Sequence, residues 1–222
     1  ALHSALQNVL AKALNGQNLK AVIVEAHPYA TESTRTDISI SSAEKLGEIL
    51  YYVDTTVTNT QQKRIPKLKK LTDADNIVCC RDLLLNETVV NNHIFSATAK
   101  KLRKFKGCHD SACENGRSPS SIVVPFAVDT LGNFCSVAVI FLKKLAKIKF
   151  EKIPGSTEFR DLTASTWVNT TCRDIQTAII KTCAYNNRSA LKLAFGEEYD
   201  KLYPGSIYSP PSYNENFSSS EG

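Results

Sequence analysis

Apolar positions recur with a helical period at the start of the chain. In ALHSALQNVLAKALNG, Leu2, Leu6, Val9, Leu10, Ala13 and Leu14 share one face and Gly16 stands where a helix C-cap belongs, so the spacing predicts a helix. LKAVIVEA then predicts a short strand or extended run, and the stretch around HPYATESTRTDIS after it is polar. In SSAEKLGEILYYV, Ser41 and Glu44 are spaced as a capping box ahead of Leu46, Ile49, Leu50 and Val53, which predicts a second helix.

QQKRIPKLKKL, from Gln61 to Leu71, gathers five basic residues around the helix-breaking Pro66 and reads as an exposed connector. Two further helices are predicted. DADNIVCCRDLLL aligns Ile77, Cys80 and Leu84, and NHIFSATAKKLRKFKG aligns Ile94, Ala97, Leu102 and Phe105 ahead of a capping Gly107. Gly107 to Ser121 reads as a loop. SIVVPFAVD, rich in β-branched residues, predicts a strand in which Pro125 marks an edge or bulge position.

In NFCSVAVIFLKKLAKIKF the row Phe134, Val137, Ile140 or Phe141, Lys144 and Ile148 predicts one long helix, ended by IPGS. LTASTWVNTT is strand-like, DIQTAIIKTCA fits either state, and SALKLAFGEEYDKLY predicts a weakly amphipathic helix. With helices and strands interspersed and no internal repeat, the fold class is α+β, with several helices packed on a modest sheet.

The 222 residues suffice for one domain with a full core, expected over residues 1 to 203. Residues 204 to 222 are the exception to packing. YSPPSYNENFSSSEG is too polar and too rich in Pro and Ser to join a core. Two readings of it stay open. One is a stiff, solvated stalk; the other is a docking segment in which Pro210, Pro211, Ser212 and Tyr213 form a polyproline ligand for a WW domain. A hydrophobic fraction of 42%, with no window near the roughly 18 consecutive apolar residues of a membrane span, predicts a soluble chain. The sequence begins at Ala1 and contains no Met, so a processed or trimmed N-terminus is expected.

Cysteine is the residue that bears on compartment. The seven are Cys79, Cys80, Cys108, Cys113, Cys135, Cys172 and Cys183. In an oxidising compartment, six would form three disulfides of undetermined connectivity and leave one over. A metal site built from Cys79, Cys80, Cys108, His109 and Cys113 is the rival, but it lacks the paired two-residue spacing of zinc ribbons. Asn-x-Ser/Thr triplets at Asn86, Asn169, Asn187 and Asn216 are compatible with secretion.

The sequence carries no Gly-rich phosphate loop, no nucleophile elbow and no His-Glu-x-x-His helix. None of the four histidines, His3, His27, His93 and His109, is spaced to share a helix face with another. His93 could serve Cys79 or Cys80 as a base, yet nothing near them marks an oxyanion site, so an enzyme is disfavoured and neither cofactor nor metal is expected.

Positive charge is the clearest patterned feature on a chain of net charge +5. Lys63, Arg64, Lys67, Lys69 and Lys70 form one group, and Lys100, Lys101, Arg103, Lys104 and Lys106 a second. Lys143, Lys144, Lys147, Lys149 and Lys152 form a third. Such groups are commonly the wet faces of helices. Summed, they attract polyanions such as sulfated glycans or nucleic acid. Lysine outnumbers arginine and few aromatics interleave, so reading or stacking of bases has little support, and adhesion to an anionic surface fits better.

Three segments carry a family likeness. DTLGNFCSVAVIFLKKLAKIKFEKIPG resembles the GPI-anchored surface antigens of coccidian parasites of the Eimeria type, through Asp129, Gly132, Asn133, Cys135, Ala138, Val139, Phe150 and Pro154. NVLAKALNGQNLKA is similar to that family's first helix at Asn8, Ala11, Ala13, Gly16 and Leu19, and VNTTCRDIQTAIIKTC to its Cys-containing closing strand. The likeness covers about a third of the chain. It departs at Ile140, Phe141 and Leu142, at the odd cysteine count and at the adjacent Cys79 and Cys80. What it implies is a CAP-like α/β/α sandwich without catalytic residues, its helices on a small mixed or antiparallel sheet. The domain would be held at the cell surface by a C-terminal lipid anchor beyond the stalk and engaged in host contact.

The reading of the whole is therefore an extracellular, disulfide-stabilised surface antigen or adhesion protein that contacts host cells or anionic glycans. Two other classes compete. One is an intracellular basic protein, viral or cellular, that binds RNA or an anionic membrane and recruits WW-domain partners through Pro210 to Tyr213. The other is a cysteine-dependent enzyme.

Overall fold

A computed structural model of the chain describes residues 1–16, 18–26, 35–42, 49–59 and 122–196, together with helical positions at 94, 97, 98, 100, 101 and 103–105. The architecture is α+β. A helix α1 (Leu2–Leu14) is followed by strands β1 (Leu19–Ala26), β2 (Thr36–Ser42), β3 (Ile49–Thr58) and β4 (Ile122–Asp129). Two helices close the described chain, α2 (Ser136–Phe150) and α3 (Thr157–Phe195).

The four strands form one mixed sheet in the order β1-β2-β3-β4. β1 and β2 are antiparallel, with Ala21 opposite Ile40, and β2 and β3 are antiparallel, with Ile40 opposite Tyr51 and Ile38 opposite Val53. β4 joins β3 in parallel, from Tyr51 beside Ile122 to Thr58 beside Asp129. A parallel neighbour requires a crossover rather than a hairpin, and the helical positions between 94 and 105 fall within that crossover. Among the described residues β4 is the outermost strand beyond β3, so Pro125, which has no N–H to donate, sits at an edge as its sequence context predicted.

Side-chain alternation assigns the helices to the two faces of the sheet. Tyr51 meets Phe141 of α2 with ring centroids 5.2 Å apart, and Thr55 meets His3 of α1. Tyr51 and Thr55 share a face. Asp54 lies on the other, where Lys101 reaches it. The core between α1, α2 and the sheet contains Leu6, Leu10, Leu14, Ile38, Ile40, Val53, Phe141, Leu142 and Leu145, all fully buried. The run Val123, Val124, Phe126, Ala127 and Val128 of β4 is buried without alternation, the pattern of a strand enclosed on both faces.

α1 and α2 are tied at their C-terminal ends. The Lys149 ammonium donates to the carbonyls of Ala13 at 2.6 Å and Asn15 at 2.8 Å, two acceptors that a helix terminus leaves open. In return Asn18 Nδ2 donates to the Ile148 and Lys149 carbonyls at 3.3 and 3.0 Å. Lys149 Nζ also lies 5.3 Å from the centre of the Trp167 ring, and Trp167 meets Phe150 edge-on, which holds α3 to α2.

Two expectations are corrected. Of the helix predicted from Ser41 to Val53, Ser41 and Ser42 end β2 and Ile49 to Val53 begin β3, while residues 43–48 lie outside the described residues. Local capping signals lost to the β-branched and aromatic content of ILYYVDTTVT and to pairing on both of its edges. β2 itself lies in a stretch read only as polar, although TDISISS alternates strictly and buries Ile38 and Ile40. The strand-like LTASTWVNTT is part of α3, a 39-residue helix that also absorbs the ambiguous DIQTAIIKTCA. Its buried positions Ala164, Val168, Thr171, Ile175 and Ile179 follow a 3.6-residue period, and tertiary burial of that stripe overrides the weak helix propensity of Thr and Val.

The chain divides into two units, Ala1–Ile180 and Lys181–Gly222, with the boundary inside α3. The expected boundary at residue 203 and the tail 204 to 222 lie outside the described residues, as does the helix predicted over DADNIVCCRDLLL. No helix among the described residues is long and apolar enough to cross a membrane.

Candidate functional site

The structure separates the basic residues by role. Lys143 and Lys147 are exposed and one turn apart on α2, on the side away from Phe141, Leu142, Leu145 and Ala146. Lys144, between them, is half-buried with its ammonium 5.9 Å from the centre of the Tyr51 ring. Lys100, Arg103 and Lys104 are exposed at helical positions, and Lys104 Nζ lies 5.8 Å from the Phe105 ring centre. Lys101 is turned inward instead. Lys101 reaches Asp54 on one face of the sheet while Lys144 covers Tyr51 on the other, so the described members of the second and third basic groups are placed toward opposite faces. Lys63, Arg64, Lys67, Lys69, Lys70 and Lys106 lie outside the described residues.

Two polar arrangements, the first buried and the second partly exposed, were not singled out from the sequence. In the first, Lys101 Nζ stands 2.7 Å from Oδ2 and 2.9 Å from Oδ1 of Asp54, whose residue is only 3% exposed. Burial pushes the Asp54 carboxyl above the ordinary aspartate range, and the charge of Asp37 adds to this. The hydrogen bond and charge of Lys101, and the charge of Lys104, pull the other way without overcoming it.

The second joins three elements. Asp37 Oδ2 accepts from the Thr55 N–H at 2.6 Å, from the Thr55 hydroxyl at 2.7 Å and from His3 Nε2 at 3.1 Å. His3 Nε2 also lies 3.2 Å from the Thr55 carbonyl and 2.9 Å from the Thr55 hydroxyl. A carboxylate and a carbonyl can only accept, so with the Thr55 hydroxyl donating to Asp37 these contacts assign the hydrogen to Nε2. The arrangement does not activate a nucleophile, because Thr55 and Asp37 address the same ring nitrogen. What it does is end the β2–β3 ladder. Beyond the Ile38 and Val53 pair, the Thr55 N–H and C=O are taken by side chains from β2 and α1 rather than by a facing strand. An Asp inside YVDTTV or TDISI is the available signal, since strands are depleted in aspartate.

The segment from Asp129 to Asn133 delivers the chain into α2. Asp129 Oδ1 accepts from the Leu131 and Asn133 N–H groups at 2.9 and 2.8 Å, and Oδ2 accepts from Asn133 Nδ2 at 2.8 Å. Gly132 has φ +84°, and a Cβ there would stand 2.9 Å from Gln176 Cγ and 3.2 Å from Gln176 Cα.

Of the cysteines, Cys135 is buried just before α2 and Cys172 is half-buried on α3, both as free thiols. Cys183, also on α3, is eleven positions from Cys172, a rise of about 16 Å, far beyond the span of a disulfide within one helix. Burial raises the thiol pKa of Cys172 and of Cys183. Cys79, Cys80, Cys108 and Cys113 lie outside the described residues. Among the described residues no group of three His, Cys, Asp or Glu side chains could hold a metal ion.

Neither protein-family models, nor curated proteins, nor solved structures yield a match to this chain.

Proposed function

We propose that the chain is a non-enzymatic surface or adhesion protein that engages anionic ligands, with sulfated glycans as the working class, through the outward side of α2. The observation that carries this is the exposed Lys143 and Lys147 pair on a helix whose other side is packed into the core. The helix holds the two Cα positions at one spacing, so binding to a repeating polyanion orders the lysine side chains but not the backbone beneath them. The likeness to coccidian surface antigens supports the same reading. Its main segment coincides with the Asp129 turn and α2, whereas VNTTCRDIQTAIIKTC, likened to a closing strand, lies wholly within the helix α3; the likeness brings the CAP-like sandwich, the extracellular location and the lipid anchor as parts of the proposal.

The test is retention on a sulfated-glycan resin. The chain binds at low salt and elutes as screening rises, and Lys143→Ala with Lys147→Ala elutes at clearly lower salt. Failure of the unaltered chain to bind, or identical elution of the variant, overturns the proposal.

The free thiols at Cys135 and Cys172 favour a second reading, a basic intracellular protein. A thiol count on non-reduced protein from its native source separates the two. Seven reduced thiols support the intracellular reading, and disulfides among the remaining cysteines support the surface one.

A further inference from the structure

We propose that Asn169 is an acceptor for an N-linked glycan, an inference that rests on the extracellular reading above. The triplet Asn169, Thr170 and Thr171 has the required acceptor pattern, and the structure adds where its members stand. Asn169 is exposed, and of the four positions one turn to either side of it Ser165, Thr166 and Arg173 are exposed and Cys172 is half-buried. A bulky, hydrated group therefore fits there without displacing packed atoms. Two turns earlier on the same side of α3, Leu162 is 68% exposed, and a sugar chain at Asn169 would cover it.

Thr171, the hydroxyl-bearing member of the triplet, is only 2% exposed and lies in the packed stripe between Val168 and Ile175.

The co-substrate is a lipid-linked oligosaccharide. Asn169 Nδ2 bonds to the anomeric carbon of the first sugar as the bond from that carbon to the lipid pyrophosphate breaks. The pyrophosphate leaves with the electron pair, and the amide gives one proton to a base. Transfer precedes formation of α3, since Thr171 is sealed once the helix has packed.

The experiment takes the full chain from its native source, treats it with an N-glycan-removing amidase in heavy-oxygen water, and maps peptides by mass. The expected result is labelled aspartate at position 169 and a gain in gel mobility. When the chain is expressed in its source cells, Asn169→Gln and Thr171→Val both abolish the label, while Thr171→Ser, which keeps the hydroxyl, retains it. Surface labelling of intact cells is run in parallel. An unmodified Asn169 on chains that are surface-labelled overturns this inference alone. An unmodified Asn169 on chains found only inside the cell overturns it together with the extracellular reading.

Discussion

Lys101 and Asp54, 47 positions apart in sequence, form a close ion pair across the face of the sheet opposite α1 and α2. The carboxylate is buried and the ammonium only partly so, and each depends on the other to offset lost hydration. Lys101→Met leaves Asp54 buried without its cation, and a loss of about 3 kcal/mol is expected in urea unfolding at neutral pH.

The same variant carries a pH signature. Asp54 has its folded pKa raised above the ordinary 3.8, so its protonated form is favoured by folding. Its contribution to stability is present below the unfolded pKa and lost as pH rises through the folded one. Once Asp54 is neutral it no longer needs the ammonium. The cost of Lys101→Met is therefore largest at neutral pH and shrinks as the solution is acidified through that window. A cost independent of pH would show that the pair is not what Lys101 contributes.

Asp37→Ala leaves the Thr55 N–H and hydroxyl without their acceptor at a nearly closed site, and about 2 kcal/mol of destabilisation is expected. His3 is about half exposed, so His3→Ala should cost clearly less. Urea midpoints of the two variants, compared at one pH, check the order.

Gly132→Ala is expected to lower stability by about 2 kcal/mol or more, combining a left-handed backbone with collision against Gln176. Trimming the neighbour with Gln176→Ala removes the contact with Cγ but leaves those with Cβ at 3.1 Å and Cα at 3.2 Å, so rescue is partial. Gly196 also has a positive φ, of 55°, but open space around it, and Gly196→Ala should cost only about 1 kcal/mol. Thermal unfolding of the three variants separates strain from collision.

Cys172, its thiol pKa raised by burial, holds less thiolate at neutral pH than an ordinary cysteine. Alkylation of the folded chain at this position is expected to be slow, to accelerate with pH, and to reach the free-peptide rate once the chain is unfolded. Peptide mapping after timed alkylation reads this directly.

Much of the fold was legible because burial imposes a period that survives in one dimension. The stripe of α1, the row along α2 and the apolar run of β4 with its edge Pro125 could each be read from spacing alone. The stripe Ala164, Val168, Thr171, Ile175 and Ile179 was present too, but its first half read as a strand and its second half fitted either state until the 3.6-residue period of their burial was known. The Lys143 and Lys147 pair was visible as charge, while its exposure depended on which side of α2 packs. Only tertiary structure could decide the strand order and its parallel pair, the separation of the basic groups onto two faces, and which lysines turn inward. Lys149 reaches Ala13 across 136 positions and Lys101 reaches Asp54 across 47, and no local pattern records such partners. The physical reason is that periodicity reports whether a side chain is buried, whereas partnership between polar groups is settled by the path the chain takes between them.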